Sequence, residues 1–199
     1  MKSLILLAFL ILSFNDSHAQ DEKLVGGFTH RMAFSLSLTS LSLSETSNNE
    51  PGSFSGTAIN LGIEYPFVQS IKREFYIKTS VPIASESGTG LYAAFLGMNN
   101  YSQKLSAPYR VDEGATSLTI RPKSQYYWGV HTGAGSAIYT IDTAKKSDFN
   151  FLIGGQVGMT KQFTSPWGIK GEISLSKGFG MNSELLSYSL GGGVIYDLE

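Results

Sequence analysis

From residue 34 to residue 198, apolar side chains recur at every second position, segment after segment, and helical spacing is hard to find. Phe34, Leu36 and Leu38 alternate with Ser35, Ser37 and Thr39. Thr57, Ile59, Leu61, Ile63 and Tyr65 then oppose Ala58, Asn60, Gly62 and Glu64, and Phe75, Ile77, Thr79, Val81 and Ile83 alternate with Tyr76, Lys78 and Ser80. A further strand is predicted over 91 to about 101. Trp128, Val130, Thr132, Ala134 and Ile138 oppose Gly129, His131, Gly133, Gly135 and Ala137. The same rhythm sets Phe149, Phe151, Ile153, Val157 and Met159 against Asn150, Gly154, Gln156, Gly158 and Thr160. It then sets Trp167, Ile169, Gly171, Ile173 and Leu175 against Gly168, Lys170, Glu172, Ser174 and Ser176, and Tyr188, Leu190, Val194, Tyr196 and Leu198 close the chain. Polar turns separate the runs at 44–53, 85–90, 143–147, 164–166 and 180–186. The pattern predicts an all-β chain of eight strands, or nine if 115–122 stands alone. Pro108 and Pro122 interrupt 102–124, which reads either as an extension of a neighbouring strand or as a long connection. In the first strand the apolar phase passes to Leu41 and Leu43, which predicts a bulge near Thr39-Ser40.

The first residues read differently. Lys2, an apolar run over 4–12 and Ser17-His18-Ala19 have the form of a secretory signal peptide, residues 1–19, with cleavage before Gln20 and a mature domain over 20–199. No Cys stands at the cleavage point, which argues against a lipid-anchored lipoprotein. From Gln20 onward no apolar run approaches the roughly 20 residues of a spanning helix. The mature chain therefore crosses a membrane as strands or not at all. The chain has no Cys, so disulfide scaffolds, thiolate metal sites and cysteine nucleophiles are excluded. A net charge of -1 gives no basic footprint for nucleic acid.

Period two alone does not separate a soluble barrel from a membrane barrel. The composition of the polar face does. Charged residues are 16% of the chain, against roughly 25% in an average soluble domain. The polar face is mostly Gly, Ser, Ala, Thr and Asn, with single charges at Glu64, Lys78, Lys170 and Glu172, while other charges gather in the turns 45–50, 69–74 and 142–148. Small side chains suit the crowded inside of a narrow ring. The bulky face then meets lipid, and the expected fold is a closed antiparallel up-and-down transmembrane β-barrel. Aromatics near strand ends fit two interfacial girdles: Tyr65, Trp128, Phe163, Trp167, Tyr188 and Tyr196, with Phe67, Tyr101, Tyr126, Tyr127, Tyr139 and Phe179.

Residues 151–163 (FLIGGQVGMTKQF), the turn Thr164-Ser165-Pro166 and the strand opening Trp167-Gly168-Ile169-Lys170-Gly171-Glu172 resemble the last hairpins of small bacterial outer-membrane β-barrels of the OmpA/OmpX type. In that family a Gly-rich strand meets a short Pro-containing periplasmic turn, and the next strand opens with an aromatic. Gly193-Val194-Ile195-Tyr196-Asp197-Leu198 is similar to the C-terminal strand that such barrels present to the barrel-assembly machinery, although the chain ends in Leu198-Glu199 and not in an aromatic. The resemblance implies the outer membrane of a Gram-negative bacterium, with lipid and lipopolysaccharide as surroundings. A monomer is expected. The family's functions are too varied to transfer.

His131 is the one mature histidine on a predicted strand, and a Ser-His-Glu lipid hydrolase would need a hydroxyl within reach of it. Its i-2 and i+2 neighbours are Gly129 and Gly133, so no nucleophile is expected within reach of it on that face. The preferred reading is a lumen-facing polar network of Glu64, Lys78, His131, Gln156, Lys170 and Glu172, with the two glutamates paired to Lys78, Lys170 or Arg31. Lys145-Lys146 is a solvated tip or touches lipopolysaccharide phosphates. No motif calls for a metal or a cofactor. The expected role is structural or surface-interacting, without catalysis. A narrow channel is second, a secreted soluble barrel for an apolar ligand third, and a lipid-modifying enzyme last.

Overall fold

The computed structural model describes residues 31–45, 53–69, 73–102, 109–113, 116–120, 124–141, 144–163, 166–181 and 183–197. The signal-peptide reading of 1–19, the turn residues Thr164 and Ser165 and the end Leu198-Glu199 lie outside them. In chain order the strands are β1 (Arg31–Glu45), β2 (Ser53–Gln69), β3 (Arg73–Ser85), β4 (Gly90–Tyr101), β5 (Tyr109–Glu113), β6 (Thr116–Ile120), β7 (Ser124–Ile141), β8 (Ala144–Gln162), β9 (Trp167–Gly180) and β10 (Ser183–Asp197). Eight of them close an antiparallel barrel in the order β1-β10-β9-β8-β7-β4-β3-β2. First and last barrel strands pair from Arg31↔Asp197 to Glu45↔Ser183, so closure leaves no free edge in the ring.

The alternation is the cause of this geometry. Side chains of opposite parity point to opposite sides of each strand, and a ring turns one set inward and the other outward. Val157, Ile173, Leu190, Leu38 and Ile59 fall in one hydrogen-bond register across β8, β9, β10, β1 and β2. They are 55%, 57%, 62%, 57% and 43% exposed. A continuous apolar row on the outside of a barrel is stable in hydrocarbon, not in water.

The bulge expected near Thr39-Ser40 is absent. The β1 register runs through both residues without a shift, and the odd positions Thr39, Leu41 and Leu43 all point inward. The apparent change of phase is a change in the lumen, from serine and threonine to leucine. The irregular positions lie between β2 and β3, where Phe67 and Ile83 are each left without a partner.

Within 102–124 two short strands are described. β5 and β6 pair with each other as a two-stranded hairpin outside the barrel ladder, within the connection from β4 to β7. That connection leaves from the end of the barrel that carries Arg31 and Asp197, the terminal end. At the opposite, far end the β3–β4 link contains a 3-10 turn at Glu86–Gly88. Buried Thr89 sits over Gly56 of β2, and Thr57 Oγ1 donates to Glu86 Oε2 at 2.9 Å, so this link packs against β2 at the far end.

Candidate functional site: the barrel interior

Four layers fill the lumen. Nearest the terminal end, Glu74 is fully enclosed, accepts the Tyr101 hydroxyl at 2.9 Å and pairs with Arg31 at 3.5 Å. The sequence reading left Glu74 among turn charges because it stands one residue inside β3. Parity with Tyr76 and Lys78 was the signal that could have placed it.

Above it, Lys170 Nζ lies 2.6 Å from Glu64 Oε2 and 2.9 Å from Glu172 Oε2. Lys78 pairs with Glu172, whose other oxygen accepts the Tyr127 hydroxyl at 2.7 Å. Lys170 also stands 5.3 Å from the centroid of the Tyr127 ring. Two carboxylates and two ammonium groups from β2, β3 and β9 thus form one neutral chain across the lumen. Each buried charge has an opposite neighbour, the condition under which such groups are tolerated away from water.

The third layer is neutral and polar. Asn60 Nδ2 donates to Thr39 Oγ1 at 2.7 Å, Thr39 to Ser189 at 3.2 Å, and Gln156 Nε2 to Asn99 Oδ1 at 2.8 Å. His131 Nε2 stands 2.7 Å from Ser176 Oγ. The reading that His131 has no hydroxyl within reach is therefore corrected: the hydroxyl comes from β9, two strands away in the ring. Gly154 of β8 lies between them in register, and a Cβ there would stand 2.5 Å from His131 Nε2 and 2.7 Å from Ser176 Oγ. Only glycine leaves the gap across which the two residues meet. An adjoining cavity of about 40 Å³, lined by Asn60, Tyr76, Lys78, His131 and Ser176 among others, has room for about three waters. It is far below the several hundred Å³ of a small-molecule pocket.

The fourth layer is apolar. Leu41, Leu43, Leu91, Leu152 and Leu185 are buried together with Ala93, Ala137 and Tyr139, and Phe54 and Phe95 pack against them. These leucines fill the lumen at the far end.

Of the residues read as girdle aromatics, Trp128, Phe163, Trp167 and Tyr188 are exposed on the outer surface, and Tyr65 and Tyr196 are half-buried. Trp167 and Tyr196 pack with ring centroids 4.5 Å apart. Tyr101, Tyr127 and Tyr139 are corrections: all three are buried inside the barrel. Among the described residues no cluster of three or more His, Asp or Glu could hold a metal ion.

A closed ring of eight antiparallel strands, with an apolar row outside and paired charges inside, defines a small transmembrane β-barrel of the outer-membrane type. No family model and no curated protein matches the sequence. Among solved structures the chain is similar to Neisserial surface protein A, with 14% identity, 83% of this chain and 99% of that one covered, and a TM-score of 0.46. It is also similar to Ail, the attachment invasion locus protein of Yersinia pestis, at 11% identity over 84% and 99% of the two chains, with a TM-score of 0.40. The N-terminal β-barrel domain of Pseudomonas aeruginosa OprF gives 10% identity over 81% and 97%, with a TM-score of 0.44.

Proposed function

We propose that this chain is a closed, non-catalytic barrel of the outer membrane with a structural role, and that Glu64, Lys78, His131, Gln156, Lys170 and Glu172 serve as its internal brace. The observation that carries the reading is the filled lumen. The Glu64–Lys170–Glu172–Lys78 chain spans it near the terminal end, and the leucine layer occupies the far end. A channel needs a continuous wet path, and an eight-stranded ring has little width beyond its own side chains. Catalysis on a membrane lipid would need His131 and Ser176 to meet an acyl chain, yet both are buried beside a cavity of about 40 Å³. The far-end connections also speak for a scaffold more than an adhesin. They span 46–52, 86–89, 142–143 and 181–182, little chain with which to grip a partner outside the cell. Planar-bilayer recording of the purified, folded protein tests the proposal. No steady conductance is expected, and large stable single-channel steps would replace the structural role with a transport one.

A further inference from the structure

We infer that two copies of this chain pair edge to edge through β5, at the end of the barrel where β1 begins and β10 ends. This goes beyond the structural role proposed above and departs from the monomer expected from sequence. The first observation is where the chain spends its length. The β4–β7 connection covers 102–123 at the terminal end, longer than any of the four connections at the far end. Outer-membrane barrels ordinarily keep the turns on one side short and lengthen the loops on the outer side. The other two connections at the terminal end, 70–72 and 163–166, are short. The long connection therefore stands out among its neighbours at that end as well as against the far end.

The second observation is the form of the insertion. β5 and β6 have five residues each and form a two-stranded sheet. A two-stranded hairpin is marginal in water, and three or more strands are needed for independent stability. Among the described residues β5 pairs only with β6, so its outer edge offers backbone groups to another strand.

The third observation is that β5 is complementary to itself. It reads Tyr109-Arg110-Val111-Asp112-Glu113. Antiparallel pairing centred on Val111 sets Arg110 of each copy opposite Asp112 of the other and Val111 opposite its own copy. Opposite charges directly across an antiparallel pair are favourable, and here the pair occurs twice by symmetry. β6, Thr116-Ser117-Leu118-Thr119-Ile120, has no charge of either sign and gives no such code. The pairing is isologous, as a two-fold dimer requires. Antiparallel pairing of two identical edges puts the two-fold axis perpendicular to their sheet, so barrels inserted the same way up in one bilayer require the hairpin sheet to lie parallel to the membrane plane. The result is a four-stranded sheet from two hairpins.

The absence of Cys makes the test clean. Val111→Cys and, separately, Leu118→Cys are introduced into the full mature chain, folded in lipid vesicles at high lipid-to-protein ratio and mildly oxidised. Directly opposed residues of an antiparallel pair have Cα atoms about 4.5–5.5 Å apart, within disulfide reach. Val111→Cys is expected to give a covalent dimer. Leu118→Cys is not, because three strand spacings, about 14 Å, separate its two copies. In the Val111→Cys background, Arg110→Asp and Asp112→Arg each turn both cross-pairs into like charges and should slow cross-linking by about tenfold. Combining the two reversals should restore it. Gel mobility before and after boiling shows that each variant's barrel is folded. Equal cross-linking at both Cys positions, or indifference of folded variants to the charge reversals, overturns the proposal.

Discussion

Lys170 is the side chain on which the interior depends most, because it touches two carboxylates and lies over an aromatic ring. Lys170→Met should destabilise the barrel by about 3–5 kcal/mol, since it leaves the two buried carboxylates Glu64 and Glu172 to share the single ammonium of Lys78. Adding Glu64→Gln should return more than half of that loss, because the Lys78–Glu172 pair then stands intact in a neutral lumen. Adding Glu172→Gln instead should help less, because it breaks the existing Lys78–Glu172 pair and Glu64 must re-pair with Lys78, opposite it in the β2–β3 register. A urea folding titration read by the fluorescence of Trp128 and Trp167 measures all three. Equal stability of the single variant and the Glu64 double variant would show that water, not Lys170, satisfies Glu64. Sequence parity could indicate that such side chains share a surface. It could not say which partner each meets, because Lys170 and Glu64 are 106 residues apart and are joined only by the curvature of the ring. The contact of His131 with Ser176 was hidden for the same reason.

At the level of strands, alternation carried nearly all of the fold. It gave the closed eight-stranded ring, because period two survives any register as long as the two faces differ in chemistry. It failed where a face changes character along its own length. Leu41 and Leu43 looked like a slipped phase only because a lumen was assumed to be polar throughout. It also gave no answer over 102–124, where five-residue strands bounded by prolines are too short for a period to declare itself. The outer face can be tested directly. Ile173 lies within the register row from Val157 to Ile59 and is more than half exposed. Ile173→Arg should cost about 2–4 kcal/mol in a folding titration in vesicles, as a charge on the lipid face near mid-membrane does. Ile173→Val, which keeps the face apolar, should cost far less. Equal tolerance of the two would mean that this row does not meet hydrocarbon.

The whole molecule holds two unlike seals in series, and the order in which they stand has a consequence. Near the terminal end the lumen is blocked by charges that satisfy one another, and at the far end by leucines that exclude water. Between them lie the hydrogen-bonded polar layer and the small cavity beside His131. Removing either seal therefore opens a vestibule and not a pore. Glu64→Ala with Lys170→Ala takes out one neutral pair and leaves Lys78–Glu172 in place. Leu41→Ala with Leu185→Ala hollows the apolar layer from β1 and β10, two strands that pair directly. Each double variant, once its gel mobility shows a folded barrel, should remain as silent in a planar bilayer as the parent. The four changes together should give a small ohmic conductance, because only then does a wet path run from mouth to mouth. Conductance in either double variant alone would mean that its seal carries the whole barrier. A folded quadruple variant that stays closed would move the barrier to the middle layer, where Asn60, Thr39 and Ser189 are hydrogen-bonded across the lumen.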